Sequence, residues 1–252
     1  FFRFVSADPL CGVTKSSSSS TMGELVLNFN DAILYQADID ILRDLTAWLN
    51  DACIHFYFTY LQTKVPRTKV LFMDPSVITF LMHQCDDEDL QEFSQSFQVP
   101  SKYLIIPIND GHGSSNSWKR PGSGSHWSLL VVGLAATGGT KHDYWYLDSV
   151  RGSGNAQAAR EVAQRITEVI EGDANSADIT IQSVPSTPQQ RNGHDCGLHC
   201  LAFASVFCTV PESLKEIEDD VSASPDGTTM RKLVLEAVER AIQERDGVEA
   251  GE

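Results

Sequence analysis

The sequence predicts a mixed α and β fold, an α+β arrangement in which a central run of strands is flanked by helices. Three observations carry this. The apolar segments Tyr103–Ile108 (YLIIPI), Trp127–Leu134 (WSLLVVGL) and Tyr144–Leu147 (YWYL) are short, bounded by turn-rich stretches, and read as buried strands. Asn155–Glu171 places Ala159, Val162, Ala163, Ile166, Val169 and Ile170 on one face of an amphipathic helix. Further helical patterns lie on both sides of these strands in the chain.

In chain order, residues 1–22 end in Lys15-Ser16-Ser17-Ser18-Ser19-Ser20-Thr21, a polar low-complexity stretch that cannot build a core. They read as a disordered extension, followed by one folded unit over 23–246 and an acidic disordered tail over 247–252. Trp48–Leu61 has helical spacing, with Asn50 or Asp51 available as its cap. Asp74 and Pro75 mark the start of a second helix, as N-cap and first residue. Pro107 inside YLIIPI points to a strand end or an edge. Ile179–Val184 reads as a strand and Cys196–Cys208 as a buried helix. A last helix over Thr228–Glu244 draws its apolar surface from Met230, Leu233, Leu235, Val238 and Ile242.

The chain has 252 residues, with 19 Lys and Arg against 34 Asp and Glu, a formal net charge of −15. That balance argues against nucleic-acid or anionic-membrane partners, because phosphates reward basic surfaces. No apolar run reaches the roughly 18 residues of a membrane-spanning helix. Six cysteines are too dilute for a disulfide scaffold. Cys53, Cys196, Cys200 and Cys208 sit in apolar-periodic stretches and read as free thiols in a reducing cytoplasmic or nuclear setting.

Cys196 is the best placed of them for chemistry. It follows a polar loop and opens an apolar helix, where the positive end of the helix dipole favours the nucleophilic thiolate. Of seven histidines, His126 ends a Gly/Ser loop and opens the strand WSLLVV, so it can face a cleft while the strand holds it. Asp148 ends the strand YWYL. If the two strands are neighbours, these residues meet at one sheet edge, as a Cys-His-Asp relay requires. Gln190, six residues before Cys196, can offer its amide to an oxyanion. His55 reads as a packed histidine, and His83, His112 and His142 as polar residues without special partners. A competing reading gives His194, Cys196, His199 and Cys200 to zinc, but their spacing does not put all four on one helical face.

Assembled, these residues resemble the Ulp/sentrin-specific cysteine proteases, which cut after the C-terminal di-glycine of ubiquitin-like modifiers. The resemblance spans about residues 24–245 and rests on four blocks in the family's order: Trp48-Leu49-Asn50-Asp51, His126-Trp127-Ser128-Leu129-Leu130-Val131, Leu147-Asp148-Ser149, and Pro188-Gln189-Gln190 through Asp195-Cys196-Gly197. It implies a single protease domain of the Ulp/adenain type with a mixed sheet and the catalytic cysteine at a helix N-terminus. It further implies Cys196 as nucleophile, His126 as base, Asp148 as orienting group and Gln190, with Gln189 as a substitute, as oxyanion donor. No cofactor or metal is implied. Trp48 and Trp127 would line a tunnel that only a Gly-Gly tail can enter, and Asp51 would pair with a basic residue of that tail.

Within the family, the segment Leu25–Leu34 followed by Asp38-Ile39 is similar to the short deneddylating branch. The implied partners are a NEDD- or Rub-type modifier and conjugates such as cullins, with a monomeric enzyme acting on them. SUMO is the rival modifier. An inactive modifier-binding module is the rival class. The acidity that excludes nucleic acid thus suits a small protein with a basic tail, received near Asp51.

Overall fold

In the computed structural model, residues 23–96, 101–112, 124–135, 142–171 and 179–249 are described. The expected extension over 1–22 and the turn ATGGTKHD, apart from its last two residues, lie outside them, as do residues 250–252. The chain opens with a hairpin of β1 (Leu25–Phe29) and β2 (Ala32–Tyr35). Its two-residue turn, Asn30-Asp31, has positive φ at both positions (49° and 71°), which matches the twist of the flanking strands. Then come α1 (Gln36–Arg43), α2 (Asp51–Gln62), β3 (Val70–Phe72), α3 (Pro75–His83) and α4 (Asp87–Ser96). The middle of the chain supplies β4 (Tyr103–Asn109), β5 (Trp127–Gly133), β6 (Asp143–Leu147) and α5 (Asn155–Glu171). Finally β7 (Ile181–Ser183), α6 (Cys196–Val206), α7 (Leu214–Ser222) and α8 (Gly227–Glu249) complete the fold.

The main sheet has the order β3-β4-β5-β6-β7, with parallel pairs at its edges and antiparallel β4-β5-β6 in the middle. Both faces are covered, so its central strands are apolar along their whole length rather than alternating. Along β4 and β5, Tyr103, Ile105, Leu129 and Val131 point into a core shared with α2, α6, α8 and the hairpin. Their neighbours Leu104, Ile106, Ile108, Leu130 and Val132 point into a second core against α3 and α5. Pro107 is tolerated in this central strand because β3 pairs only as far as Ile105, so no partner on that side needs its missing N–H.

Several sequence readings are refined. The second helix begins as expected, with Asp74 accepting from the Ser76 N–H at 2.8 Å and Pro75 in the first turn. Helix α2 starts at Asp51, so Trp48 precedes it, and Asn50 is its cap, accepting from the Cys53 N–H at 3.0 Å. Helix α8 begins at Gly227 and continues through Glu249, so the expected acidic tail is helical over its first three residues. Its buried stripe is Met230, Val234, Ala237, Val238 and Ala241, while Leu233 is exposed. Leu233, expected on the apolar surface of this helix, thus lies outside the stripe, two of whose five positions are small alanines. No helix among the described residues is long and apolar enough to cross a membrane.

Candidate active site

The β5–β6 ladder sets the first two groups. Leu129 pairs with Leu147 in antiparallel register, so the residue just before β5 and the residue just after β6 emerge at the same sheet edge. There His126 Nε2 meets Asp148 Oδ1 at 2.7 Å. A carboxylate only accepts, so Nε2 donates, and Nδ1 is left for the opposite side of the ring.

Asp148 is held by four donors. Besides His126, the Val150 N–H reaches Oδ1 at 2.8 Å, and Oδ2 accepts from the Tyr146 hydroxyl at 2.6 Å and from the Ser153 hydroxyl. Burial acts to raise the acid's pKa, but these hydrogen bonds outweigh it and hold the carboxyl below its usual range. Removing a carboxylate from water costs several kcal/mol, and hydrogen bonds to a charged group return about 1.5–3 kcal/mol each, so four suffice. For His126, burial opposes protonation, yet the bonds to Asp148 and to the Cys196 side chain push it up to about 9.

Cys196 is the first residue of α6, buried beside that ring. The loop before it is folded by Asn192, whose side-chain oxygen accepts from the N–H groups of His194 and Asp195 (3.1 and 3.0 Å) and whose amide donates to Asp195 Oδ2 at 2.8 Å. Cys200, one turn later, is no rival nucleophile. Burial, with the charges of Cys196 and Asp148 added, pushes its thiol well up, and its Sγ points at the Ser128 carbonyl.

The Trp48–Leu49 loop sits over the start of α6. A Cβ added at Gly197 would meet Leu49 Cβ at 2.9 Å, closer than real Cβ contacts come, so glycine is required for this approach. The Trp127 indole N–H donates to the Leu49 carbonyl at 2.9 Å. Trp127 is therefore a buried wall, 4% exposed, whereas Trp48 is half exposed. Because Asn50 takes the capping role, Asp51 is left at the surface in the first turn of α2. Desolvation on its protein side and the charge of Asp74 push its carboxyl above the ordinary range.

The two glutamines part company. The Gln189 amide donates to the Asp148 and Thr187 carbonyls and its oxygen accepts from the Arg151 N–H, a brace across the loop. Gln190 accepts from the Ser149 hydroxyl at 2.8 Å and donates to the Asn192 carbonyl at 2.6 Å, within the loop that leads to Cys196. The remaining histidines have more partners than the sequence suggested. His55 lies within 3.3 Å of Asp74 and is only partly buried. His112 is buried, accepts from the Asn109 N–H and packs edge-on to Trp127; His83 meets the Gly111 carbonyl, and His142 meets Glu171. Among the described residues, no three His, Cys, Asp or Glu side chains group to hold a metal ion.

Residues 47–224 match the Ulp1 protease family, C-terminal catalytic domain. The chain belongs to the Ulp1 protease family. It is therefore a cysteine protease. It is 29% identical to NEDD8-specific protease 1 of Arabidopsis thaliana over 238 residues, 85% of this chain and 96% of that one. A probable sentrin-specific protease 8 of Dictyostelium discoideum is 30% identical over 191 residues, covering 71% of this chain and 73% of the other. Its fold is shared with SUMO protease Ulp1, whose structure with an oxidised catalytic cysteine matches with a TM-score of 0.59 at 19% identity, over 86% of this chain and 89% of that one.

Three site residues were not singled out from sequence: Tyr146, Ser153 and Asn155. Asp110 accepts from the N–H groups of Ser125 and of His126, the latter at 3.2 Å, fixing the loop that delivers the ring. Ser153 carried a faint signal as a hydroxyl in the Gly/Ser loop after Asp148. Tyr146 reaches Asp148, two residues on, but stands in an apolar strand run that gives no sign of it, and Asn155 acts on partners remote in sequence.

Proposed function

We propose that this Ulp1-family protease removes a NEDD8-type modifier from cullin-type conjugates and also trims its precursor. The observation that carries the reaction is the convergence of Cys196, His126 and Asp148 at one sheet edge, with His126 held in its protonated range. The Cys196 thiolate attacks the carbonyl carbon of the modifier's last glycine. Gln190 and the Cys196 N–H steady the oxyanion. As the intermediate collapses, the C–N bond breaks and the His126 proton passes to the departing lysine amine, leaving a thioester. His126, now neutral, takes a proton from water, and hydroxide adds to the thioester. The modifier leaves as a carboxylate and the thiolate is restored.

The modifier assignment is supported by relatives named as NEDD8-specific proteases. Trp48 and Trp127 admit the glycine tail, and the charge of Asp51 receives its basic residue. Free Cys53, Cys196 and Cys200 in the core suit a reducing cytoplasm or nucleus. The test is a panel of modifiers carrying a C-terminal electrophile. Capture of the NEDD8 type, abolished by Cys196→Ala, is expected. Preferential capture of SUMO would reassign the substrate, and no capture would leave a binding module.

A further inference from the structure

Asn155 opens α5 and is fully buried, 0% exposed, yet it does not act as a solvent-facing cap. Its amide nitrogen donates toward the His126 carbonyl at 3.0 Å, Ser128 Oγ at 3.0 Å and the Ile108 carbonyl at 3.3 Å. Two of these three acceptors are backbone carbonyls, which cannot donate, so the nitrogen rather than the oxygen must face them. The Asn155 oxygen is left buried without a partner, an unfavourable state for a group that any apolar side chain would avoid. What the amide supplies in exchange is donors, and they go to the strand end that carries His126.

The same residue reaches Asp148 by two routes. Its backbone N–H points at Ser153 Oγ at 3.4 Å, and the Ser153 hydroxyl donates to Asp148 Oδ2. Its Ser128 partner in turn bonds the Tyr146 hydroxyl, which also donates to Asp148. Asp110 holds the His126 N–H from one side, and Asn155 holds the His126 carbonyl from the other. We propose that Asn155 is a positioning residue that fixes His126 and Asp148 relative to each other, through the His126 carbonyl and the two hydroxyls of Ser128 and Ser153. This rests on the assignment of His126 as the base.

The test compares parent, Asn155→Ala, His126→Ala and the double variant on a NEDD8-type modifier with a fluorogenic amide at its last glycine. Rates are divided by the sites captured with the electrophilic modifier, so unfolded molecules do not count. Asn155→Ala should lower kcat per captured site by about tenfold to a hundredfold while KM changes by less than about twofold, as expected of a displaced base. Adding Asn155→Ala to His126→Ala should cause no further loss. If Asn155→Ala yields too little folded enzyme, Asn155→Ser, which keeps a small polar side chain but is too short to reach the His126 carbonyl, runs the same comparison. A parent-like kcat per captured site in a background where His126→Ala is inactive would overturn the positioning role alone. So would losses that multiply in the double variant. Full activity in His126→Ala would instead overturn the assignment of the base, and the proposal with it.

Discussion

The Leu129–Leu147 pair of the β5–β6 ladder is what brings His126 within 2.7 Å of Asp148. Neither residue lies in a strand. Each is the first residue beyond one, and antiparallel pairing puts the start of one strand beside the end of the next. The dyad is thus a consequence of strand register, and its tuning comes from the donors around Asp148. If Asp148 becomes Asn, the site keeps its shape but loses the charge that holds the imidazolium. We expect Asp148→Asn to lower kcat/KM by about 10²–10⁴-fold, judged from the equivalent change in serine proteases.

The pH profile follows from the same pair. His126 lies above its usual 6.5, at about 9. A raised value means that the protonated form is favoured in the fold, so this stabilisation is complete below about 6.5 and is lost as pH rises through about 9. The alkaline limb of kcat/KM should therefore fall near pH 9. In Asp148→Asn the limb should move to lower pH. A limb that stays in place in this variant would show that Asp148 does not set it.

How much of this was legible depended on whether the deciding contact was local. The strands carrying His126 and Asp148 were readable because short apolar runs stand between Gly/Ser-rich loops, and neighbouring strands are the common outcome. Asn155 read only as the start of an amphipathic helix, since its acceptors belong to β4 and β5 and to the residue preceding β5. His112 looked like a polar loop residue, but a backbone N–H from Asn109 and the Trp127 ring enclose it. Arg231, in a charged helix, is 2% exposed, and no feature of the sequence around it marks it as buried. Long-range hydrogen bonds of this kind leave no periodic trace.

Gly197 gives a prediction for the wall of the site. Its Cα faces Leu49, whose carbonyl anchors Trp127. Gly197→Ala should push the Trp48–Leu49 loop away, loosen Trp127 and reduce kcat/KM by about a hundredfold, the cost of an ångström-scale misplacement. Shortening the opposing side chain provides the check. Leu49→Ala combined with Gly197→Ala should recover part of the activity, and a double variant no better than Gly197→Ala would refute the steric explanation.

His112 predicts loss of stability in acid. Burial, with the charge of His83, lowers it from 6.5 to about 4. A lowered histidine is neutral in the fold but takes a proton in the unfolded chain, so stability is intact above about 6.5 and falls as pH drops toward about 4. The loss attributable to this one group is of order 3 kcal/mol at the acid end. Urea unfolding of parent and His112→Gln at pH 7 and pH 4.5 measures it. The variant should show the smaller drop, and equal drops would exclude His112 as the cause.

Arg231 ties the loop that leads to Trp48 to the body of the enzyme. From α8 its guanidinium donates to the Ile41 and Ala47 carbonyls, both at 2.8 Å, the latter one residue before Trp48. Its charge is also felt by Asp195, the residue before Cys196. Arg231→Ala would leave two part-buried carbonyls without their donor and open a cavity, a loss of about 2–4 kcal/mol. For a chain of this size that lowers Tm by about 10 °C. Because the loop bearing Trp48 is released, the surviving enzyme should also bind the modifier more weakly, raising KM more than it lowers kcat. A variant with parent Tm and KM would mean that the hairpin and α1 hold the loop without the arginine.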